Sequence, residues 1–158
     1  MKDRTLIMVR HAHRDTTEGR ERDNGLSERG REQSKALERF YRDRLAKQPV
    51  IFLSSPKVRC IETLLPLADR MKTEVQILDL LDEQHESDKA YARRVEKFLR
   101  WWKQRAPELV VACSHGDWIP SFAQLTLGID LELKKGGCME LESTGRSVKL
   151  RWLLQKLP

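Results

Sequence analysis

The sequence predicts an α/β fold, a three-layer α/β/α sandwich whose mainly parallel sheet lies between two layers of helices. Between residues 5 and 127, short β-rich runs alternate with longer stretches of helical periodicity, a pattern typical of parallel sheets covered by helices. Closer to the C-terminus, two alternating runs follow each other, which predicts a hairpin at one edge of the sheet. The 158 residues are expected to form a single domain, 1–158, because domains typically contain roughly 100 to 200 residues.

Six strands are predicted, and the first four are expected to be parallel. These four are the aliphatic runs 5–9, 50–53, 74–78 and 109–113. The run 109–113 consists only of Leu, Val, Ala and Cys, so it is expected to be the most buried strand. The runs 138–142 and 147–154 alternate between apolar and polar residues on either side of Gly145, and they are predicted to form the edge hairpin.

The helices are predicted from their capping residues and their apolar periodicity. The first begins near Ser27, which suits an N-cap. The second is expected to begin with Ser55 as the N-cap and Pro56 at the first helical position. The third follows Ser87, and its apolar stripe should face the sheet: Tyr91, Val95, Phe98, Leu99 and Trp102. A weaker fourth helix is expected over 117–127.

Composition and charge exclude several classes of protein. The longest run without a charged residue is 118–129, twelve residues, whereas a bilayer-crossing helix needs roughly 20 apolar residues. The first apolar run, 5–9, is too short for a secretory signal, so a cytoplasmic protein without a membrane partner is expected. The three cysteines are widely spaced and are expected to be reduced and mostly buried. A formal net charge of +6 favours anionic partners.

Four strand-to-helix loops are expected to meet at one end of the sheet, where ligands bind in open α/β folds. They cover residues 10–14, 54–59, 79–88 and 114–118. These loops contain all four histidines of the chain, His11, His13, His85 and His115, together with three arginines, Arg10, Arg14 and Arg59. Scattered core histidines would not be expected to gather in this way, so the loops are interpreted as a binding site.

Imidazoles gathered with guanidiniums suit a phosphoryl group. Arginine pairs bidentately with phosphate oxygens and keeps its charge, while a neutral imidazole can attack phosphorus and hold the phosphoryl group covalently. Such transfer needs mainly positioning and charge neutralisation, so no metal or cofactor is required. The sequence contains no GxxxxGK[ST] segment, no cysteine followed six residues later by arginine, and no Asp-x-Asp. Histidine is therefore the nucleophile that remains.

Four segments resemble motifs of the histidine phosphatase superfamily, which includes the cofactor-dependent phosphoglycerate mutases. They are LIMVRHA at 6–12, GLSERG at 25–30, SSPKVRCIET at 54–63 and VACSHG at 111–116. They occur in the family's order and extend over most of the chain. The resemblance implies a phosphoglycerate mutase-like fold, in which His11 is the phosphorylated nucleophile and Arg10, Arg59 and His115 bind the phosphoryl oxygens.

The resemblance also implies a proton donor and a further phosphate-binding arginine. Arg14 matches the arginine of an R-H-G-x-R pattern, although pairing with Asp15 or Glu18 is an alternative. The donor in the mutase-like branch is a glutamate after the third strand, so Glu83 is predicted, with Asp82 as the alternative. The chain has no room for the mutases' long specificity segments. It is closest in size to SixA-type phosphohistidine phosphatases, which implies a phosphorylated protein or small molecule as partner.

Two other classes of protein remain as alternatives. His11 and His13, together with His115 and Asp117, could hold a metal for a metal-dependent hydrolase. However, barrel hydrolases with a His-x-His motif need about 250 residues, and the neighbouring arginines would repel a dication. A nucleic-acid-binding module could use the arginine excess, but no aromatic and basic platform supports it, so no nucleic-acid partner is expected.

Overall fold

The computed structural model describes residues 3–158, which form six strands, four α-helices and one 3₁₀ turn. In chain order the elements are β1 Arg4–Arg10, α1 Glu28–Tyr41, β2 Ile51–Ser54, α2 Val58–Arg70, β3 Val75–Ile77, the 3₁₀ turn Asp79–Leu81, α3 Asp88–Gln104, β4 Leu109–Ser114, α4 Trp118–Leu127, β5 Cys138–Ser143 and β6 Val148–Leu154. None of the helices in this described part combines the length and apolar character that a bilayer crossing requires.

The six strands form one sheet in the order β3-β2-β4-β1-β5-β6. The first four are parallel, while β5 pairs antiparallel with β1 and β6 pairs antiparallel with β5 at the edge. The predicted α/β fold class and the edge hairpin are therefore confirmed. All six residues of β4 are buried, because this strand lies between two neighbours and beneath helices on both faces.

Helices cover both faces of the sheet, and the alternation of side chains along β1 separates the two cores. Leu6 and Met8 face the side covered by α3 and α4, whereas Ile7 and Val9 face the side covered by α1 and α2. The predicted stripe of α3 packs into the first core, where Trp102 is fully buried. The three cysteines are free and buried, as expected.

The strand register brings the site loops to one edge of the sheet. Arg10 at the end of β1 pairs with Ser114 at the end of β4, and Ser54 at the end of β2 pairs with Cys113. These parallel strands therefore end at the same level. The segments that follow them start side by side, which is the arrangement that parallel strands require for a shared site.

The predicted start of the second helix is wrong. Helix α2 begins at Val58, and its N-cap is Lys57, whose side chain makes no capping hydrogen bond. The hydroxyl of Ser55 lies 2.7 Å from Nε2 of His115 and accepts the backbone N–H of Lys57 at 3.3 Å, so it closes a turn just before the helix. By contrast, Ser27 and Ser87 cap α1 and α3 as predicted.

Candidate active site

His11 lies immediately after β1 and is only 6% exposed. Its Nδ1 atom lies 2.8 Å from the carbonyl oxygen of Ala12. Because a carbonyl only accepts hydrogen bonds, Nδ1 carries the hydrogen and Nε2 keeps its lone pair. Burial, together with the positive charges of Arg59, Arg10 and Lys135, lowers the pKa of His11 to about 3 against the opposing Ala12 hydrogen bond. His11 is therefore a neutral imidazole with a free Nε2 atom.

The alanine after His11 fits the backbone at this position. Ala12 is not among the residues of the described chain that have a positive φ, so its Cβ brings no left-handed strain. The side chain is fully buried. Its backbone N–H donates to Oγ1 of Thr63 at 2.9 Å. An alanine is thus compatible with this backbone.

His115 follows β4, is only 2% exposed, and faces His11 with 5.4 Å between the ring centroids. Its Nδ1 atom lies 3.4 Å from Nη2 of Arg59, which can only donate. Nε2 therefore carries the hydrogen and donates to Oγ of Ser55 at 2.7 Å. Burial lowers the pKa of His115 to about 2, with Arg59 as the next largest cause.

Arg59 and Arg10 supply positive charge around the two imidazoles. Arg59 projects from the first turn of α2, is 4% exposed, and donates from Nη2 to Oε2 of Glu83 at 2.9 Å. Arg10 donates from Nη1 to the carbonyl of Leu133 at 2.7 Å. The buried Nε atom of each arginine has no hydrogen-bond partner within residues 3–158. Both guanidiniums thus keep donor capacity that an anion could use.

Gly116 provides the space that the Arg10 side chain needs. A Cβ atom at this position would lie 2.7 Å from the guanidinium carbon of Arg10. Such a contact is far shorter than carbon atoms tolerate, so a larger residue would displace the arginine. The glycine that follows His115 therefore has a steric role in the site.

Arg14 lies at the side of the site, half-buried. Its Nη1 atom donates to the carbonyl of Arg20 at 3.0 Å and to Oδ1 of Asn24 at 3.1 Å. Within residues 3–158 it forms no ion pair with Asp15 or Glu18. Burial lowers the pKa of Arg14, and the nearby charge of Arg59 lowers it further.

Glu83 and Asp82 occupy different positions although they are adjacent in the chain. Oε2 of Glu83 lies 2.9 Å from Nη2 of Arg59 and 4.0 Å from Nδ1 of His115, and its side chain is 40% exposed. Asp82 is nearly buried, accepts a hydrogen bond from the Glu83 N–H at 2.9 Å, and lies 3.4 Å from Oγ of Ser55. Glu83 therefore lies at the open side of the site, and Asp82 lies behind it.

Arg94, which the sequence analysis did not single out, anchors the loop that carries these carboxylates. It donates from Nη1 to the carbonyls of Leu80 at 2.9 Å and Asp82 at 2.7 Å, and from Nη2 to the carbonyl of Glu83 at 3.0 Å. Its Nε atom also pairs with Glu86 at 2.8 Å. The sequence offered no signal for this role, because Arg94 is one of several basic residues along α3.

The residues of the alternative metal site are not assembled. Nδ1 of His13 lies 2.6 Å from Oγ of Ser27, and Asp117 accepts a hydrogen bond from the backbone of Gln84. His85, at the rim, is exposed, with Nε2 4.0 Å from Asp82. Across residues 3–158, no group of three or more His, Cys, Asp and Glu side chains is placed to hold a metal ion.

Sequence comparison identifies a family over the first part of the chain. A sequence model described as the histidine phosphatase superfamily (branch 1) matches residues 6–88, more than half of the chain. This range contains the segments that hold His11, Arg59 and Glu83. A search of curated proteins found no match.

Solved structures of low sequence identity share the fold over nearly the whole chain. An Escherichia coli protein provisionally described as an alpha-ribazole-5′-P phosphatase has a TM-score of 0.81 and 19% identity, covering 98% of both chains. An Agrobacterium tumefaciens protein provisionally described as phosphohistidine phosphatase SixA has a TM-score of 0.75 and 19% identity, covering 98% of this chain and 99% of its own. A mycobacterial glucosyl-3-phosphoglycerate phosphatase has a TM-score of 0.74 and 19% identity, covering 95% and 98%.

Proposed function

The chain belongs to the histidine phosphatase superfamily, and we propose that it is a metal-independent phosphatase that forms a phosphohistidine intermediate on His11. Its substrate is a phosphomonoester or a phosphohistidine-bearing protein, and it works in the cytoplasm without a cofactor. The three similar structures described above differ in their named substrates, so the likeness of fold supports phosphatase chemistry rather than one substrate.

The state of His11 is the observation that carries this proposal. Its Nδ1 atom is held by the Ala12 carbonyl at 2.8 Å, and its pKa of about 3 leaves the imidazole neutral at physiological pH. A neutral imidazole with a free Nε2 lone pair is the form that attacks phosphorus. A histidine with only a packing role in the core would not be expected to lie among two guanidiniums and a second neutral imidazole.

In the first step, the Nε2 lone pair of His11 forms a bond to phosphorus while the bond from phosphorus to the leaving oxygen breaks. Arg10 and Arg59 bind the phosphoryl oxygens and neutralise the charge that develops on them, with Arg14 reaching them from the side. Once Arg59 turns to the phosphoryl group, His115 binds one of these oxygens in its Nδ1–H tautomer, with the Ser55 hydroxyl donating to Nε2. The leaving oxygen takes a proton from the Glu83 carboxyl group. In the free protein the Glu83 carboxylate accepts a hydrogen bond from Arg59, and the entering phosphoryl group competes for that guanidinium. A phosphomonoester, whose second pKa is about 6, can bring the proton for this step into the site as its monoanion.

In the second step, a water molecule attacks phosphorus and the bond between phosphorus and Nε2 breaks. The water proton returns to the Glu83 carboxylate, so the donor is restored for the next cycle. Inorganic phosphate leaves, and His11 is again neutral. Ser55 and Asp82 support this cycle by holding His115 through its Nε2 atom. They contact no reacting atom, so they are positioning residues.

Hydrolysis of p-nitrophenyl phosphate in the presence of EDTA tests the proposal. We expect full activity in EDTA, and a loss of at least a thousandfold in His11→Ala, because removal of a nucleophile leaves only binding and charge effects. His13→Ala provides the matched control and should retain most of the activity. Loss of wild-type activity in EDTA, restored by zinc, would instead support the metal-dependent hydrolase.

A further inference from the structure

A groove of about 910 Å³ lies beside the candidate active site. One wall is a face of α1, and the other consists of residues 134–136 and the segment 155–158. The groove reaches Arg10 and His13, the residues on either side of the His11-Ala12 dipeptide. A molecule whose phosphoryl group contacts His11 could therefore continue into the groove.

The groove is strongly basic. Its lining contains six basic residues, Arg10, Arg29, Arg39, Lys134, Lys135 and Lys156, and one acidic side chain, Glu32. Glu32 pairs at 3.6 Å with Lys35, which is not a lining residue. Within residues 3–158, none of the six basic side chains forms an ion pair with a carboxylate. Their charge is therefore available to an anionic ligand.

Lys135 links the groove electrostatically to the reacting histidine. Lys135 is half-buried, and its positive charge contributes to lowering the pKa of His11. Burial lowers the pKa of Lys135 itself, and the charge of Arg10 lowers it further. An anion bound in the groove would relieve this concentration of positive charge.

The length of the groove favours an extended ligand over one compact anion. Arg29 and Arg39 are ten residues apart on α1, which corresponds to roughly 15 Å along the helix axis. An extended peptide advances about 3.3 Å per residue, so four to five residues would match this distance. A single second phosphate group would occupy only a small part of it.

The uncharged lining suits a peptide better than a nucleic acid. Gln33 and Gln155 offer amide groups that can bond to a peptide backbone, and Ala36, Gly136 and Leu157 are apolar or lack a side chain. None of the described lining residues is Phe, Tyr or Trp. The groove therefore lacks the aromatic platform on which single-stranded bases stack.

We propose that this groove binds an extended acidic segment of a phosphorylated protein whose phosphorylated side chain occupies the site at His11. The inference rests on the proposed phosphatase function and adds that the substrate is an acidic protein segment. Recognition would come from ion pairs along the groove, which select among phosphorylated partners without changing the chemistry at phosphorus.

Fluorescence anisotropy with labelled phosphotyrosine peptides tests the inference independently of turnover when all binding is measured in the His11→Ala background, where the probe is not hydrolysed. One peptide carries four glutamates on each side of the phosphotyrosine, and its partner carries glutamines at the same positions. The variant R39E/K156E reverses two exposed charges of the groove, away from the reacting groups. The matched control R93E/R100E reverses two exposed charges on α3, on the other side of the sheet.

We expect the acidic peptide to bind roughly tenfold more tightly than the neutral one at low salt, because several exposed ion pairs add small contributions. The difference should disappear in R39E/K156E and persist in R93E/R100E. It should also decrease at 0.5 M NaCl, where exposed charges are screened. Turnover of p-nitrophenyl phosphate should be the same in the wild type and both variants.

Equal affinity for the two peptides, or a preference that survives in R39E/K156E, would overturn the inference. It would also be overturned if a 5′-phosphorylated oligothymidylate, or a small bisphosphate, gained as much from the groove as the acidic peptide does. Failure of the wild type to hydrolyse p-nitrophenyl phosphate would refute the proposed phosphatase instead, because the anisotropy measurement requires no turnover.

Discussion

Lowering the pH from 7.5 to 5.0 should destabilise the fold through its two buried site histidines. The pKa of His11 is about 3 and that of His115 about 2, so both stay neutral in the folded protein at pH 5.0. In the unfolded chain a histidine titrates near 6.5. The unfolded state therefore binds more protons below about pH 6.5, and the free energy of unfolding falls as the pH falls toward 3.

The size of this loss follows from the same pKa values. A histidine that is neutral in the folded protein and has an ordinary pKa in the unfolded chain lowers the free energy of unfolding by about 2 kcal/mol between pH 7.5 and 5.0. The two histidines together should lower it by about 4 kcal/mol, a large part of the typical 5 to 15 kcal/mol of a domain. Glu86, whose pKa Arg94 holds at about 2, contributes little here, because unfolded carboxylates titrate mostly below pH 5. His13, whose pKa burial also lowers, adds in the same direction.

Urea denaturation in phosphate-free buffer at the two pH values measures the effect. His115→Asn removes one titrating group, so its loss of stability should be smaller than that of the wild type by about 2 kcal/mol. His85→Asn is the matched control, because that histidine is exposed, and its loss should equal the wild-type loss. An identical pH dependence for the wild type and His115→Asn would refute the reasoning that a buried neutral imidazole lies at this position.

Four further substitutions test the parts of the site separately. Glu83→Gln should lower the kcat for an alkyl phosphate by at least a hundredfold, because the amide has no proton to give to a poor leaving group. Asp82→Asn should lower it less, and the reverse order would make Asp82 the donor. Arg59→Lys should lower kcat/KM by roughly tenfold to a hundredfold, since lysine cannot reproduce the guanidinium fork, and unchanged kinetics would remove Arg59 from the phosphate site. Arg94→Met should lower both the Tm, by several degrees in calorimetry, and the alkyl phosphate kcat; a lower Tm with normal kcat would leave it a purely structural role.

Much of the fold could be predicted because it follows from local hydrophobic pattern. The strand β4 consists of aliphatic residues and cysteine before Ser114 and is buried along its length, and the stripe of α3 packs on the sheet as its spacing indicated. The start of α2 could not be predicted in this way. Ser55 has the local preference of a capping residue, and its hydroxyl accepts the Lys57 N–H. It also contacts His115, sixty residues away in the chain, and the helix begins only at Val58.

The site shows the same division between local and long-range information. Parallel strand ends bring their loops together, so the proximity of His11, Arg59 and His115 could be expected from the order of the elements. The anchoring of the acidic loop by Arg94 depends on contacts between separate elements. The basic groove likewise joins a face of α1 to residues 134–136 and 155–158, and in the sequence its charges look like ordinary surface charges.

A phosphoryl group on His11 is the central claim, and rapid acid-free quenching with denaturant tests it most directly. The wild type is mixed with ³²P-labelled substrate, denatured within milliseconds, and divided between acid and alkali treatment. We predict a protein-bound phosphoryl group that is labile in acid and stable in alkali, that maps to His11 by mass spectrometry, and that is absent in His11→Ala. Turnover without any protein-bound phosphate, or a label on another residue, would contradict the account.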